Sequence, residues 1–185
     1  SQTRLKGAIN IINDILYISQ LKLESEPKDI TDIDLHELIE EIYSEFSVIA
    51  NSKNIDYSFK PYQQDIIIKG DRRQLKLAIS NLVSNAVKYV RENGKIEVTV
   101  NSDNKNIVVS IADSGIGIPP QEKDKIFNDF YRSTISKKSG IEGTGLGMSI
   151  VTEVIRHFDG KIEIDSPSRL KISDELPGSE FRLII

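Results

Sequence analysis

Between Asp71 and Gly94 the chain carries a helix whose two sides ask for opposite surroundings, and this constrains the fold more than any other segment. Asp71 supplies an N-cap carboxylate, and the periodicity predicts helix to about Glu92, closed by Asn93-Gly94. At about 100° per residue, Leu75, Ala78, Leu82, Val83 and Ala86 form one apolar side, while Asn81, Asn85 and Lys88 fall within about 60° of one another on the other. Such a helix must lie on a core with its polar stripe turned to solvent or to a ligand.

The flanking segments supply that core. Asp34 can cap a helix to about Ser52, with Leu35, Leu38, Ile39, Ile42, Phe46 and Ile49 on its buried side. A third helix is expected from about Leu146 to Phe158, stopped by Asp159-Gly160. Apolar alternation predicts strands at Ile55-Phe59, Ile66-Lys69, Lys95-Asn101, Asn106-Ala112, Lys161-Ile164 and Glu180-Ile184. Three helices among antiparallel-looking strand pairs argue for an α+β fold, a two-layer sandwich with a mostly antiparallel mixed sheet.

Ahead of this unit, Thr3 to Leu23 reads as one amphipathic helix with an apolar stripe of Leu5, Ile9, Ile12, Leu16 and Leu23 that needs a partner. Glu24-Ser25-Glu26-Pro27 breaks it, because proline lacks a donor and disfavours helix at the preceding residue. The expected division is therefore residues 1–26 as an appended helix with its linker and 27–185 as the main domain.

Bulk properties remove several function classes. A net charge of −4 provides no basic field for nucleic acid, so no nucleic-acid partner is expected. The absence of cysteine removes thiol catalysis, disulfides and thiolate metal sites, with cytoplasm as the default compartment. No apolar run approaches the roughly 20 residues that span a bilayer, so any anchor is expected outside this chain.

The chemistry concentrates in three places. An isolated asparagine on an exposed helix face is ordinary, but Asn81, Asn85 and Lys88 in line pair a neutral oxygen for a hard cation with a point charge for phosphate. Asp113-Ser114-Gly115-Ile116-Gly117 follows a strand, so a carboxylate emerges at a sheet edge beside glycines that admit a flat ligand, although Asp-Gly turns are common. Gly143-Thr144-Gly145-Leu146-Gly147 runs into a helix N-terminus, where backbone N-H groups favour phosphate. It matches neither the P-loop nor the dinucleotide fingerprint. The stretch from Ser114 to Gly147 holds one short helical piece near Gln121-Phe127 and is too long for a plain connection.

In this order, NLVSNAVKY at Asn81 to Tyr89, DSGIGI at Asp113 to Ile118, FNDFYR at Phe127 to Arg132 and GTGLG at Gly143 to Gly147 resemble the N, G1, F and G2 boxes of sensor histidine kinases. The resemblance runs from about Asp32 to the C-terminus and implies the ATP-binding (Bergerat) fold shared with type II topoisomerases, mismatch-repair ATPases and a heat-shock chaperone. It implies ATP and Mg²⁺ as cofactors, with Asn85 as metal ligand supported by Asn81, and Lys88 and Tyr89 as phosphate and nucleotide contacts. Asp113 resembles the carboxylate that accepts from the adenine amino group, with Gly115, Gly117 and Ile118 lining its pocket. Gly143, Thr144, Gly145, Leu146 and Gly147 would hold the triphosphate, Arg132 would reach the γ-phosphate, and Ser133 to Glu142 would form a lid.

The resemblance also implies what lies elsewhere. The N-terminal helix resembles the second helix of the dimerisation and phosphotransfer hairpin, so the phosphoacceptor histidine is expected upstream, in a full-length homodimer that passes phosphate to a response regulator receiver domain. Such a protein would be a membrane-anchored sensor with this domain in the cytoplasm. Neither His36 nor His157 lies in an H-box-like string with an adjacent acidic partner, and both are expected in structural or solvent roles. Hydrolysing relatives carry a glutamate where this chain has Asn81, and an amide cannot act as general base at neutral pH. Transfer is thus favoured over hydrolysis, with a regulatory nucleotide-binding module and a hydrolase as the alternatives.

Overall fold

The computed structural model describes residues 2–23, 29–102, 105–141 and 143–185. In chain order they form α1 (Gln2–Leu23), β1 (Ile30–Asp34), α2 (Leu35–Ser52), β2 (Asp56–Lys60), β3 (Ile67–Asp71), α3 (Arg72–Tyr89), β4 (Lys95–Ser102), β5 (Ile107–Asp113), α4 (Thr134–Lys138), α5 (Gly147–His157), β6 (Lys161–Asp165) and β7 (Ser179–Ile184). Among the described residues one sheet has the order β2-β4-β5-β7-β6, parallel only between β2 and β4, and β1 pairs antiparallel with β3 in a separate ribbon.

Helices α2, α3 and α5 join the sheet in one continuous core, an α+β two-layer arrangement. Leu38 and Ile42 of α2, Leu75, Ile79, Leu82 and Val83 of α3, and Val151, Val154 and Ile155 of α5 are nearly or fully buried with Ile96, Val98, Ile111 and Leu183 of the sheet. The caps sit where expected: Asp34 accepts from Glu37 N at 3.1 Å, and Asp71 from Arg73 N at 2.9 Å and Gln74 N at 3.2 Å. On α2, however, Phe46 is half-buried and Ile49 exposed, while Ala50 is buried instead. The helix rolls slightly because its last turn faces β2 rather than the centre of the core.

Two boundaries differ from expectation for a tertiary reason. Helix α3 ends at Tyr89, short of Glu92, because buried Val90 turns to extended backbone and the Tyr89 carbonyl accepts Ile116 N at 3.4 Å. Asn93, with φ of 61°, then makes the turn into β4. The expected helical piece near Gln121-Phe127 is two 3₁₀ turns, Pro120–Glu122 and Lys125–Phe127. The ribbon strand β1 buries only Ile33 and so shows no apolar alternation, and α4, with five residues, is too short for a helical period.

Helix α1 packs along α5, but not through the expected stripe. Ile18 and Leu21 are buried, whereas Ile9, Ile12, Leu16 and Leu23 stay exposed. The stripe's first member, Leu5, and the break at residues 24–27 lie outside the described side chains and residues. Among the described residues no helix is long and apolar enough to cross a membrane.

Candidate functional site

One cleft of about 710 Å³ opens between α3, the end of β5, the N-terminus of α5 and the loops joining them. The folding rules above explain its walls. The polar stripe of α3 cannot enter the core, so it faces the cleft, where one glycine-rich loop follows the end of β5 and the other leads into the start of α5. Asn81, Asn85, Lys88, Tyr89, Asp113, Gly117, Ile118, Arg132, Gly143, Thr144, Gly145 and Gly147 all line it.

Two expected residues do not line it. Leu146 is buried in the core, because the residue before α5 turns its side chain inward. Gly115 sits behind the wall: an added Cβ would lie 2.6 Å from the Tyr89 carbonyl oxygen and 2.8 Å from Asp113 Oδ1. Its glycine identity therefore serves close packing of the turn on the end of α3.

Asp113 is held from several directions. Ser179 Oγ donates to Oδ2 at 2.5 Å, Gly115 N to Oδ1 at 2.7 Å and Ser179 N to Oδ1 at 3.4 Å. Burial pushes its carboxyl above the ordinary range, and the bonds from Ser179 and Gly115 pull the other way. The turn after it is held from outside by Ser166 Oγ, which accepts Ile118 N at 3.0 Å and donates to the Gly178 carbonyl at 2.7 Å. Ser168 Oγ donates to the Asp113 carbonyl at 2.6 Å.

On α3, Asn81 Nδ2 donates to the Leu77 carbonyl at 3.0 Å, and its Oδ1 lies 2.9 Å from where a Cβ on Gly147 would be. A side chain at position 147 would therefore displace the Asn81 amide. Asn85 Nδ2 donates to Met148 Sδ at 3.9 Å. The first turn of α5 has no side-chain cap; Thr144 Oγ1 instead accepts Leu146 N at 3.2 Å, leaving helix-end N-H groups at the cleft. Gly145, with φ of 76°, threads against the Phe130 and Tyr131 backbone, where an added Cβ would be 2.7 Å from the Phe130 carbonyl carbon.

The opposite rim is the segment expected as a lid, described up to Ile141. Glu122 anchors it, accepting Thr134 N at 3.0 Å and Thr134 Oγ1 at 2.5 Å, and the Thr134 hydroxyl bond holds its carboxyl below the usual range. Arg132 donates to the Ile141 carbonyl rather than into the cleft. Of the F-box aromatics, Phe127 is half-buried, Phe130 exposed, and Tyr131 lines the cleft beside Ile126, the residue before the box.

Several wall residues carry no sequence signal. Ser179 reaches Asp113 because β7 pairs with β5 in that register, and Met148 and Phe181 arrive through packing. Asp14 and Ile11 come from α1, and Asp14 Oδ2 accepts Thr144 Oγ1 at 3.0 Å. Neither histidine is near: His157 Nδ1 is 2.9 Å from Gln74 Oε1, and His36 lies edge-on to Phe59. Among the described residues no cluster of three or more acidic, histidine or cysteine side chains could hold a metal on its own.

Residues 70–185 match the family described as histidine kinase-, DNA gyrase B-, and HSP90-like ATPase. The chain is 30% identical over 84% of its length to the sensor histidine kinase RppB of Synechocystis sp., and 32% identical over 85% to the phosphate regulon sensor protein PhoR of Pseudomonas aeruginosa. It spans 34% and 35% of those proteins, about a third of their length. Among solved structures, the catalytic domain of histidine kinase ThkA superposes with a TM-score of 0.72 at 33% identity, over 85% of this chain and 97% of that one. ThkA in complex with response regulator protein TrrA gives 0.75 at 29% identity, over all of this chain and 48% of that one. With the family model matched over residues 70–185 and the ThkA catalytic domain superposing over 85% of the chain, the chain belongs to the histidine kinase-, DNA gyrase B- and HSP90-like ATPase family, among the histidine kinase catalytic domains.

Proposed function

We propose that this chain binds Mg²⁺-ATP and, within a longer sensor histidine kinase, delivers the γ-phosphoryl group to a histidine upstream of residue 1. The observation that carries this is the meeting of Asn85, Asp113 and Gly145 around one cleft. In this assignment residues 1–26 are the end of a dimerisation and phosphotransfer hairpin with its linker, and 27–185 the catalytic domain of a cytoplasmic portion. The full protein would be a membrane-anchored homodimer whose phosphohistidine serves a response regulator receiver domain.

Each role follows from a group's chemistry. Asp113, buried and oriented by Ser179 and Gly115, offers a carboxylate oxygen to the adenine amino group. Gly117, Ile118 and Tyr89, which line the cleft with Asp113, would sit beside the ring. The uncapped first turn of α5 and the backbone of Gly143, Thr144, Gly145 and Gly147 suit the phosphates, with Lys88 as a point charge.

The donors fit Mg²⁺ that keeps most of its waters: Asn85 offers one neutral oxygen, and nucleotide phosphates would supply the rest. Bound Mg²⁺-ATP supplies the transferable phosphoryl group and neutralises charge at its oxygens. Arg132 would leave the Ile141 carbonyl to approach the γ-phosphate as the rim closes. Asn81, whose amide bonds a backbone carbonyl, has no basic atom with which to activate water, which favours transfer over hydrolysis.

Incubating the chain with labelled ATP and a matching phosphoacceptor hairpin should label the hairpin histidine; an unlabelled hairpin with ATP bound would leave only a regulatory module. Asn85→Ala is expected to abolish the Mg²⁺ dependence of ATP binding in calorimetry. Equal affinity with and without Mg²⁺ in the parent protein would remove the metal role.

A further inference from the structure

The outer face of the sheet, away from the helices, carries a charged cluster with no part in the cleft. Registers across β4, β5 and β7 place Glu97, Ala112 and Glu180 in one row. The Cα atoms of the two glutamates are thus two strand spacings apart, roughly 10 Å, with the small Ala112 between them. Both glutamates are largely buried, an unusual state for carboxylates on a sheet surface.

Arg169 spans them. Its Nη1 donates to Glu97 Oε1 and its Nε to Glu180 Oε1 at 3.2 Å, while Ser110 Oγ donates to Glu180 Oε1 at 2.5 Å and Lys60 pairs with Glu97. Arg169 belongs to the loop 166–178 between β6 and β7. In that loop Ser168, its immediate neighbour, bonds the Asp113 carbonyl, and Ser166 bonds Ile118 N. The loop is therefore fastened to the outer face by Arg169 and to the Asp113–Ile118 turn by Ser166, Ser168 and Gly178, whose N–H donates to the Gly115 carbonyl at 2.9 Å.

We propose that Arg169 is a positioning residue for recognition of the base: by bridging Glu97 and Glu180 it fixes loop 166–178, which sets the place of Asp113 and the turn after it. Without the guanidinium, two poorly hydrated carboxylates keep one exposed lysine between them, and the cheapest relief is for the loop to lift and admit water. That movement frees Ser166 and Ser168 and loosens the Asp113 side of the cleft, leaving the α5 side untouched. The proposal rests on Asp113 contacting the base.

The test measures binding of ATP, GTP and inorganic triphosphate, each with Mg²⁺, by calorimetry on this chain. Arg169→Met is expected to weaken ATP roughly tenfold, about the effect of one lost hydrogen bond, with GTP and triphosphate nearly unchanged, so that the preference for ATP over GTP shrinks. Arg169→Lys should recover part of that preference, since a lysine cannot reach both carboxylates. An unchanged ATP to GTP ratio in folded Arg169→Met, or an equal loss for triphosphate, overturns the proposal. If Arg169→Met does not fold, an unchanged ratio in Arg169→Lys overturns it equally. Asp113→Asn separates the two levels: if it leaves the ratio intact, base recognition by Asp113 fails and the role of Arg169 with it. If it collapses the ratio and the Arg169 variants do not, only the role of Arg169 falls.

Discussion

The two ends of the cleft are built differently. Around Asp113 the carboxylate and the backbone carbonyl meet Ser179 and Ser168 from a distant part of the chain, and the wall behind them is close-packed: an added Cβ on Gly178 would lie 2.1 Å from the Asp113 carbonyl oxygen. Around the rim, Gly140 and Gly143 have nothing within 4 Å of an added Cβ, and α4 is a helix of five residues. There Arg132 bonds the backbone of its own segment, and two polar contacts, Asp14 to Thr144 and Lys22 to Asp129 at 2.9 Å, tie the region to α1. A packed, over-determined end suits recognition of one rigid ring; a sparsely packed end suits phosphates that must be admitted and released.

The sharpest way to break this contrast is Gly178→Ala. Its φ of 68° and the close Asp113 carbonyl should together cost about 3 kcal/mol or more, lowering Tm by roughly 6–12 °C in a calorimetric melt. A shift of less than about 2 °C would show the Asp113 end to be no more rigid than the rim.

Asp113→Asn comes next. It should weaken ATP roughly 10- to 150-fold, the range for a lost bond to a charged acceptor, while Tm moves by less than about 4 °C because removing a buried charge offsets the altered bonds. Unaltered ATP affinity would discard the adenine assignment.

The same carboxyl predicts a pH dependence of opposite sign in two measurements. Because burial raises its pKa in the folded state, the ionised form disfavours folding at neutral pH. As pH falls through the raised value, the folded protein takes up the proton first and this penalty disappears, levelling off once the unfolded carboxyl is protonated too. ATP affinity should fall over that window, since the protonated group is a poorer acceptor. Titrating Kd and Tm in parallel, against Asp113→Asn as reference, checks both; matching slopes in the two proteins would refute it.

At the rim, effects should be small. Asp14→Ala removes one bond and one negative charge from the cleft, so ATP should bind roughly 2- to 10-fold more tightly at low salt and less so at high salt, read as Kd across ionic strength. Gly143→Ala should leave Tm within about 1–2 °C, since open space surrounds it. A large Tm loss there would mean the rim is as tightly packed as the Asp113 end.

Legibility in the chain follows the same division between local and distant causes. Asp34 and Asp71 cap the helices they announce because a cap acts over three residues. The stripe of Asn81, Asn85 and Lys88 reaches the cleft because a helix with one apolar face has only one way to lie on a core. Gly145 stands where only glycine fits, with a positive φ and backbone on every near side, whatever the ligand. By contrast, the α1 stripe did not predict its buried side: Ile18 and Leu21 are chosen by the shape of α5, and residues further upstream would share that decision.

Local periods and turn chemistry thus announce α2, α3, α5, the strands of the main sheet and the two glycine loops, since these depend on neighbours a few residues away, whereas β1, α4 and the early end of α3 escape them. Ser179 opposite Asp113, Asp14 beside Thr144 and Arg169 between Glu97 and Glu180 are decided only by strand register and helix docking. Such pairs are 66, 130, 72 and 11 positions apart, and no short-range pattern encodes which of many possible partners the folded chain brings within bonding distance.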